Sequence, residues 1–248
     1  MIKVILTLFL IGHFIGDFYL QSSDLAKKKN TSLKKLFKHS ALYLLSIVFF
    51  ITPIFSFSML KWALVISLTH FIIDFFKSVI KKKVVVDAKL DIVVYLLDQT
   101  LHITVIIITT MAIYLYSDPI SYSFFIEHML SLFQADIMKT FSWILVLVVI
   151  IQPTSVTIKK MLNLYRPPES NRESEGHPNA GAFIGILERL IILLLLTLGQ
   201  YSAIGFVLTA KSIARYNKIV EDPMFSEYFL LGTLLSTLLV VVAYILIF

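Results

Sequence analysis

Long, unbroken apolar runs constrain this chain more than any other feature. Starting near Ile2, His39, Met59, Leu90, Ile137, Ala182 and Ser226, the sequence stays apolar for close to the ~20 residues with which a helix crosses a bilayer. Only 15% of the residues are charged, against about a quarter in soluble domains. The runs are continuous rather than alternating, which argues against a transmembrane β-barrel. The sequence therefore predicts an all-α, polytopic transmembrane helix bundle of about eight helices. Seven cover Ile2–Gln21, His39–Phe57, Met59–Ile80, Leu90–Tyr116, Ile137–Leu162, Ala182–Leu198 and Ser226–Ile247, and a short one, spanning or re-entrant, follows Gly199. Gln152-Pro153 predicts a kink in the fifth. "YSFFIEHMLSLF" at Tyr122–Phe133 reads as an amphipathic stretch in the membrane interface.

The first run has no small-residue cleavage motif and carries His13 and Asp17, so it is expected to be retained as a helix. There is no cysteine, which excludes disulfides and thiolate metal ligands. The formal charge is +6, and its lysines and arginines gather in four loops, at Lys27–Lys38, Lys81–Lys89, Lys159–Arg172 and Lys211–Lys218. The loop after the fourth run holds Asp118, Glu127 and Asp136 instead. The positive-inside rule then places the basic loops in the cytoplasm and the N-terminus outside. Membrane lipids are the expected partners, and nothing here offers a nucleic-acid platform. We expect residues 1–116 to form repeated helix hairpins, and residues 117–248 to complete the same membrane domain.

On that topology the intramembrane polar residues share one depth, in the cytoplasmic half. They are His13, Asp17, His39, His70, Asp74, Asp98, His102, Glu188, Arg189, Lys211 and Arg215. Such groups are costly in lipid, and each is by default a functional candidate. His13 and Asp17 stand four residues apart on one helix face, with Gln21 a turn further on. His70 and Asp74 repeat the spacing, and Asp98 and His102 reverse it on a helix that runs the other way. "HFIGDF" at His13–Phe18 and "HFIIDF" at His70–Phe75 also predict a tandem parallel repeat, with a pseudo-twofold axis along the membrane normal.

Imidazole nitrogens and carboxylate oxygens are the ligands of zinc, manganese or iron where thiolates are absent. His13, Asp17, His39, His70, Asp74 and His102 are the candidate ligands of a divalent metal, Zn or Mn. Asp98 and Glu188 are the candidate catalytic carboxylates. Gln21, Arg189, Lys211 and Arg215 are the candidate contacts to an anionic headgroup. The set predicts a metal-dependent hydrolase or transferase acting on a lipid or prenyl phosphate. Plainer readings stand beside it. An HxxxD pair also serves as a hydrogen-bonded clasp between helices. Glu188 and Arg189 also suit an ion pair, and Lys211 and Arg215 suit snorkelling to headgroups. His128 reads as interfacial and His177 as a loop residue. An ion-coupled transporter and a non-catalytic scaffold are the alternative functions.

The pattern His13-x-x-x-Asp17-Phe18-x-x-Gln21, followed by lysines and His39, resembles a bacterial membrane-protein family catalogued only as a domain of unknown function. The resemblance covers about the first four helices, through His70, Asp74, Asp98 and His102. It implies a bacterial inner-membrane protein and supplies no activity. The polar helix faces are faintly similar to membrane-bound metal-dependent hydrolases, whose further His/Asp motifs in glycine-rich turns are not found here.

Overall fold

The computed structural model describes residues 1–83, 87–116, 120–134, 136–166 and 180–248. Asp118, His177 and most of the polar stretch after Tyr165 lie outside the described residues. Two compact units are present, Met1–Val148 and Val149–Phe248.

In the first unit α1 (Ile2–Phe14) continues into a π-helical turn at Ile15–Tyr19, followed by the short α2 (Ser23–Lys28), α3 (Leu33–Phe50), α4 (Phe57–Lys83), α5 (Ala88–Tyr116) and α6 (Phe124–Leu132). α7 (Ile137–Met161) begins in this unit. The second holds the rest of α7, then α8 (Ala180–Thr197), α9 (Tyr201–Ile213), α10 (Tyr216–Glu221) and α11 (Pro223–Ile247). Among the described residues, six helical segments are long and apolar enough to cross a membrane: Ile2–Tyr19, Phe57–Lys82, Ala88–Tyr116, Ile137–Tyr165, Ala180–Thr197 and Pro223–Ile247. The protein is thus an all-helical membrane protein.

Two of the eight expected helices fall outside that set, for different reasons. α3 has 18 residues but starts six residues earlier than the apolar run and carries Lys34, Lys35 and Lys38 in its first two turns. α9 has 13 residues, only about 20 Å of helix against a hydrocarbon core of about 30 Å. Its separation from α8 is set by Gly199 at φ +67°. The Gly199 and Gln200 amides donate to the carbonyls of Leu196 and Leu195 at 3.1 and 2.9 Å. This crossed pair is the Schellman arrangement that ends a helix at a left-handed residue.

In the first unit α1 packs on α3 and α5, α3 on α4, and α4 on α5, closing a ring of four helices. Its apolar core comes from Val4–Phe9 of α1, Tyr43–Ile51 of α3, Met59–Ile66 of α4, and Ile106 and Ile113 of α5. Those are the early halves of α1 and α4 and the late halves of α3 and α5. The buried histidines and aspartates occupy the opposite halves, so the ring has one apolar end and one ionic end.

Lipid tails are as apolar as leucine, so packing and hydrogen bonds hold such helices together, and small residues let backbones approach. Gly12 and Gly16 do this for α1 against α3. A Cβ at Gly12 would lie 3.2 Å from the Ile47 Cα, and one at Gly16 would lie 2.9 Å from the Tyr43 ring and 3.2 Å from its Cα. The Ser46 hydroxyl donates across the contact to the Gly12 carbonyl at 2.7 Å. This approach sets the distance between His13 on α1 and Tyr43 on α3.

Candidate functional site

Four helices and one short connection deliver the ionic end. His13 closes α1, and Asp17 lies in the π turn, where the Leu20 amide reaches back five residues to the Ile15 carbonyl at 3.0 Å. The extra residue in that turn makes the His13/Asp17 pair locally unlike His70/Asp74, which stand on the uninterrupted α-helix α4. His39 and Tyr43 share one face of α3. Asp98, Gln99 and His102 come from α5. All seven sequence-predicted histidines and aspartates of the first unit are buried, His13 and His39 completely.

The ionic centre has two lysines in it. The Lys29 ammonium lies 2.8 Å from Asp74 Oδ2, 3.1 Å from His39 Nε2 and 3.4 Å from Asp17 Oδ1. His39 Nε2 stands 3.3 and 3.2 Å from the same two carboxylate oxygens. Lys29 Nζ and His39 Nε2 therefore bridge Asp17 and Asp74 together. The Lys77 ammonium donates to Asp74 Oδ1 at 3.0 Å and to Asp98 Oδ2 at 2.7 Å. Gln99 Nε2 donates to Asp17 Oδ2 at 2.9 Å. Three carboxylates thus face two ammonium groups, so with neutral histidines one negative charge is left over.

The imidazoles stack beside this network. His70 is sandwiched between Tyr43 (ring centroids 3.7 Å apart) and His102 (4.2 Å). The Tyr43 hydroxyl is 3.1 Å from His13 Nδ1. Among the described residues, several buried atoms make no hydrogen bond: both nitrogens of His70, His13 Nε2, His39 Nδ1 and Gln99 Oε1, and also His102 Nε2 and Asp98 Oδ1, which face each other at 3.5 Å. Unsatisfied polar atoms are expensive inside a protein, and a concentration of them needs a physical reason.

Two groups of residues in the centre have the donor chemistry of a hard or borderline divalent cation. In one, single ligand atoms of Asp17, His39, His70 and Asp74 all lie within 4.8 Å of one another; in the other, those of Asp74, Asp98 and His102 do. Asp74 belongs to both. His13 belongs to neither, and its place is beside Tyr43 and the stacked rings. The donor set fits a metal ion, and the unpartnered ring nitrogens are the observation that a purely ion-paired cluster does not account for.

Gln21 follows the π turn; its side-chain oxygen is buried without a partner, and it belongs to neither set. Glu188, Arg189, Lys211 and Arg215 belong to the second unit, where the first three have their own partners. Lys211 donates to Glu188 at 2.6 Å and lies over the Phe229 ring. Arg189 donates to the carbonyls of Ile150 and Ile151 at 2.6 and 3.2 Å, and to the Ser155 hydroxyl at 2.5 Å. Arg215 is exposed at the start of α10.

Four members of the centre escaped the sequence reading: Lys29, Tyr43, Lys77 and Gln99. Lys77 had a signal, three residues after Asp74 on the same face. So had Tyr43, four after His39. Gln99 had only its place beside Asp98. Lys29 was hidden in a run of three lysines whose ordinary role is to mark the cytoplasmic side; it turns inward, while Lys28 beside it is exposed.

No curated protein and no solved structure matches the chain. The family described as "Protein of unknown function (DUF3307)" matches residues 5–133, a stretch that contains every member of the ionic centre, and the chain belongs to that family.

Proposed function

We propose that the protein is a metal-dependent hydrolase or transferase of the bacterial inner membrane, with its basic loops in the cytoplasm, acting on a lipid or prenyl phosphate. The carrying observation is that Asp74 is shared by two adjacent sets of ligand residues while both nitrogens of the buried His70 make no hydrogen bond. A carboxylate between two cation positions is the arrangement with which two-metal sites clamp both oxygens of a displacement at phosphorus. Asp17, His39, His70 and Asp74 would hold one divalent ion, and Asp74, Asp98 and His102 a second. A bound ion would supply an activated water and polarise a phosphoryl oxygen.

The other residues take supporting roles. Asp98, whose Oδ1 makes no hydrogen bond and lies 3.5 Å from His102 Nε2, is suited to accept the proton of an attacking water. Lys77 balances charge between Asp74 and Asp98. The observed partners of Glu188, Arg189 and Lys211 favour roles in holding helices together over contacts to substrate. The lipid substrate class follows from a site built on apolar helices, which a lipid reaches from the bilayer.

Metal content decides the reading. Detergent-purified protein is expected to retain stoichiometric Zn or Mn, and Asp74→Asn to lose it. With Mn2+ added, the wild type is expected to release phosphate from a polyprenyl phosphate in mixed micelles. A wild type that takes up no divalent ion under any loading condition, with a thermal midpoint indifferent to Mn2+ and Zn2+, overturns it. An ion-coupled carrier is the second reading, favoured by lysines and carboxylates paired with one another inside membrane helices.

A further inference from the structure

We propose that Lys29 is the specificity-determining residue of the centre: a tethered cation in the first metal position that only an ion of charge two or more displaces. This rests on the reading that the centre takes a divalent ion. The Lys29 ammonium touches Asp17, His39 and Asp74, three of the four residues of the first ligand set. Its position and that of a metal on those atoms exclude each other, so loading requires the ammonium to leave.

The two lysines are mounted differently. Lys77 stands on the long α4 and joins Asp74 to Asp98, so it touches only one residue of the first ligand set. Lys29 caps the C-terminus of the six-residue α2, in a connection held by local bonds: Leu25 amide to Ser22 hydroxyl, Ala26 amide to Ser22 carbonyl and Ser32 amide to Lys28 carbonyl. Ser22, Ser23, Asp24 and Lys28 of that connection are exposed, and Leu25 and Lys29 are buried. Lys28 pairs with Asp24 at the surface and not with the centre. The flexible four-carbon stem of Lys29 can swing out to solvent while the ring of helices stays in place.

Charge then sets the threshold. A monovalent ion would replace one positive charge by another, and it competes against an ammonium covalently tethered at the site, whose effective concentration is on the order of millimolar. It gains nothing against the carboxylates. A divalent ion brings an extra charge to Asp17 and Asp74 in a medium of low dielectric, where that charge counts for far more than in water. It also uses one nitrogen of His70, a ring that the ammonium leaves without hydrogen bonds.

The test is thermal unfolding and titration calorimetry of detergent-purified wild type, Lys29→Met, Lys29→Arg and Asp74→Asn, with MnCl2 and methylammonium chloride as probes at matched ionic strength. The wild type is expected to respond to Mn2+ and not to methylammonium. Lys29→Met is expected to bind Mn2+ about tenfold or more tightly, since the competitor is gone, and to be stabilised by methylammonium. Lys29→Arg keeps the charge and is expected to keep the wild-type preference. Should Lys29→Met fold only with added Mn2+ or methylammonium, that rescue supports the proposal, and failure of both to rescue overturns it. An Mn2+ response that Asp74→Asn abolishes, with equal affinities in wild type and Lys29→Met, sinks the Lys29 proposal and leaves the metal centre standing. Absence of any Mn2+ response in both proteins sinks both.

Discussion

Tyr43 lies nearly flat against His70, with ring centroids 3.7 Å apart and planes 22° apart, while its hydroxyl reaches His13 Nδ1. One side chain of α3 thus fixes imidazoles on α1 and α4. Tyr43→Phe keeps the stack and removes one buried hydrogen bond, and should cost about 1 kcal/mol of stability. Tyr43→Ala removes the stack as well and opens a cavity in a fully buried position, for about 3 kcal/mol or more. Thermal unfolding in detergent separates the two. Equal losses would mean that the ring does not hold His70 in place.

Asp74 has an ammonium on each carboxylate oxygen, Lys29 on one and Lys77 on the other. Removing its charge leaves two buried cations short of a partner, and breaking a buried pair from one side costs about 3–5 kcal/mol. Asp74→Asn should therefore be strongly destabilising. Lys29→Met in the same chain removes one of the stranded charges, so the double variant should recover part of the loss. A double-mutant cycle measures this, with coupling of about 0.5–3 kcal/mol expected for residues in one network. Additive losses would contradict the shared network.

Gly16 permits the approach on which the His13–Tyr43 contact depends. Gly16→Ala places a methyl group 2.9 Å from the Tyr43 ring and 3.2 Å from its backbone, which should cost about 1–3 kcal/mol as overpacking. Gly205→Ala is the control: its Cβ meets nothing within 4 Å, and in a helix interior alanine is favoured over glycine by up to about 1 kcal/mol. The midpoints should move in opposite directions. If they move together, the contact between α1 and α3 is looser than the geometry implies.

Periodicity carried the fold a long way, because lipid demands long apolar helices and leaves few alternatives. The HxxxD spacings and the polarity of otherwise apolar helices singled out His13, Asp17, His39, His70, Asp74, Asp98 and His102, and the structure buries all seven at one end of its ring of four helices. Charge statistics served less well. Loop lysines are read for topology, and nothing in "KKKN" separates Lys29 from its neighbours, since its burial arises from the turn between α2 and α3 and not from any helical period. An i,i+4 spacing also assumes an unbroken α-helix, whereas the π turn that holds Asp17 begins at Ile15, two residues after His13. The sequence spacing between Gly12 and Gly16 is the small-residue pattern that would have foretold the close contact with α3.

Arg189 shows how the second unit tolerates a proline inside a long helix. Pro153 of α7 has no amide hydrogen for the Val149 carbonyl; the Thr154 hydroxyl donates there at 2.9 Å. The next two carbonyls, of Ile150 and Ile151, receive the Arg189 guanidinium. Arg189→Lys keeps the charge but loses the planar fork that serves several acceptors at once. It should lower the unfolding midpoint nearly as much as Arg189→Met, since each loses the guanidinium's bonds to two carbonyls and the Ser155 hydroxyl, at about 1 kcal/mol per bond. Pro153→Ala restores a donor only to the Val149 carbonyl, which Thr154 already serves, and should leave the cost of Arg189→Met unchanged when the two are combined. Metal retention should be unchanged in all of these variants, because none of the residues belongs to either ligand set. Loss of metal in Arg189→Met, with the fold intact, would instead give this arginine a part in the centre.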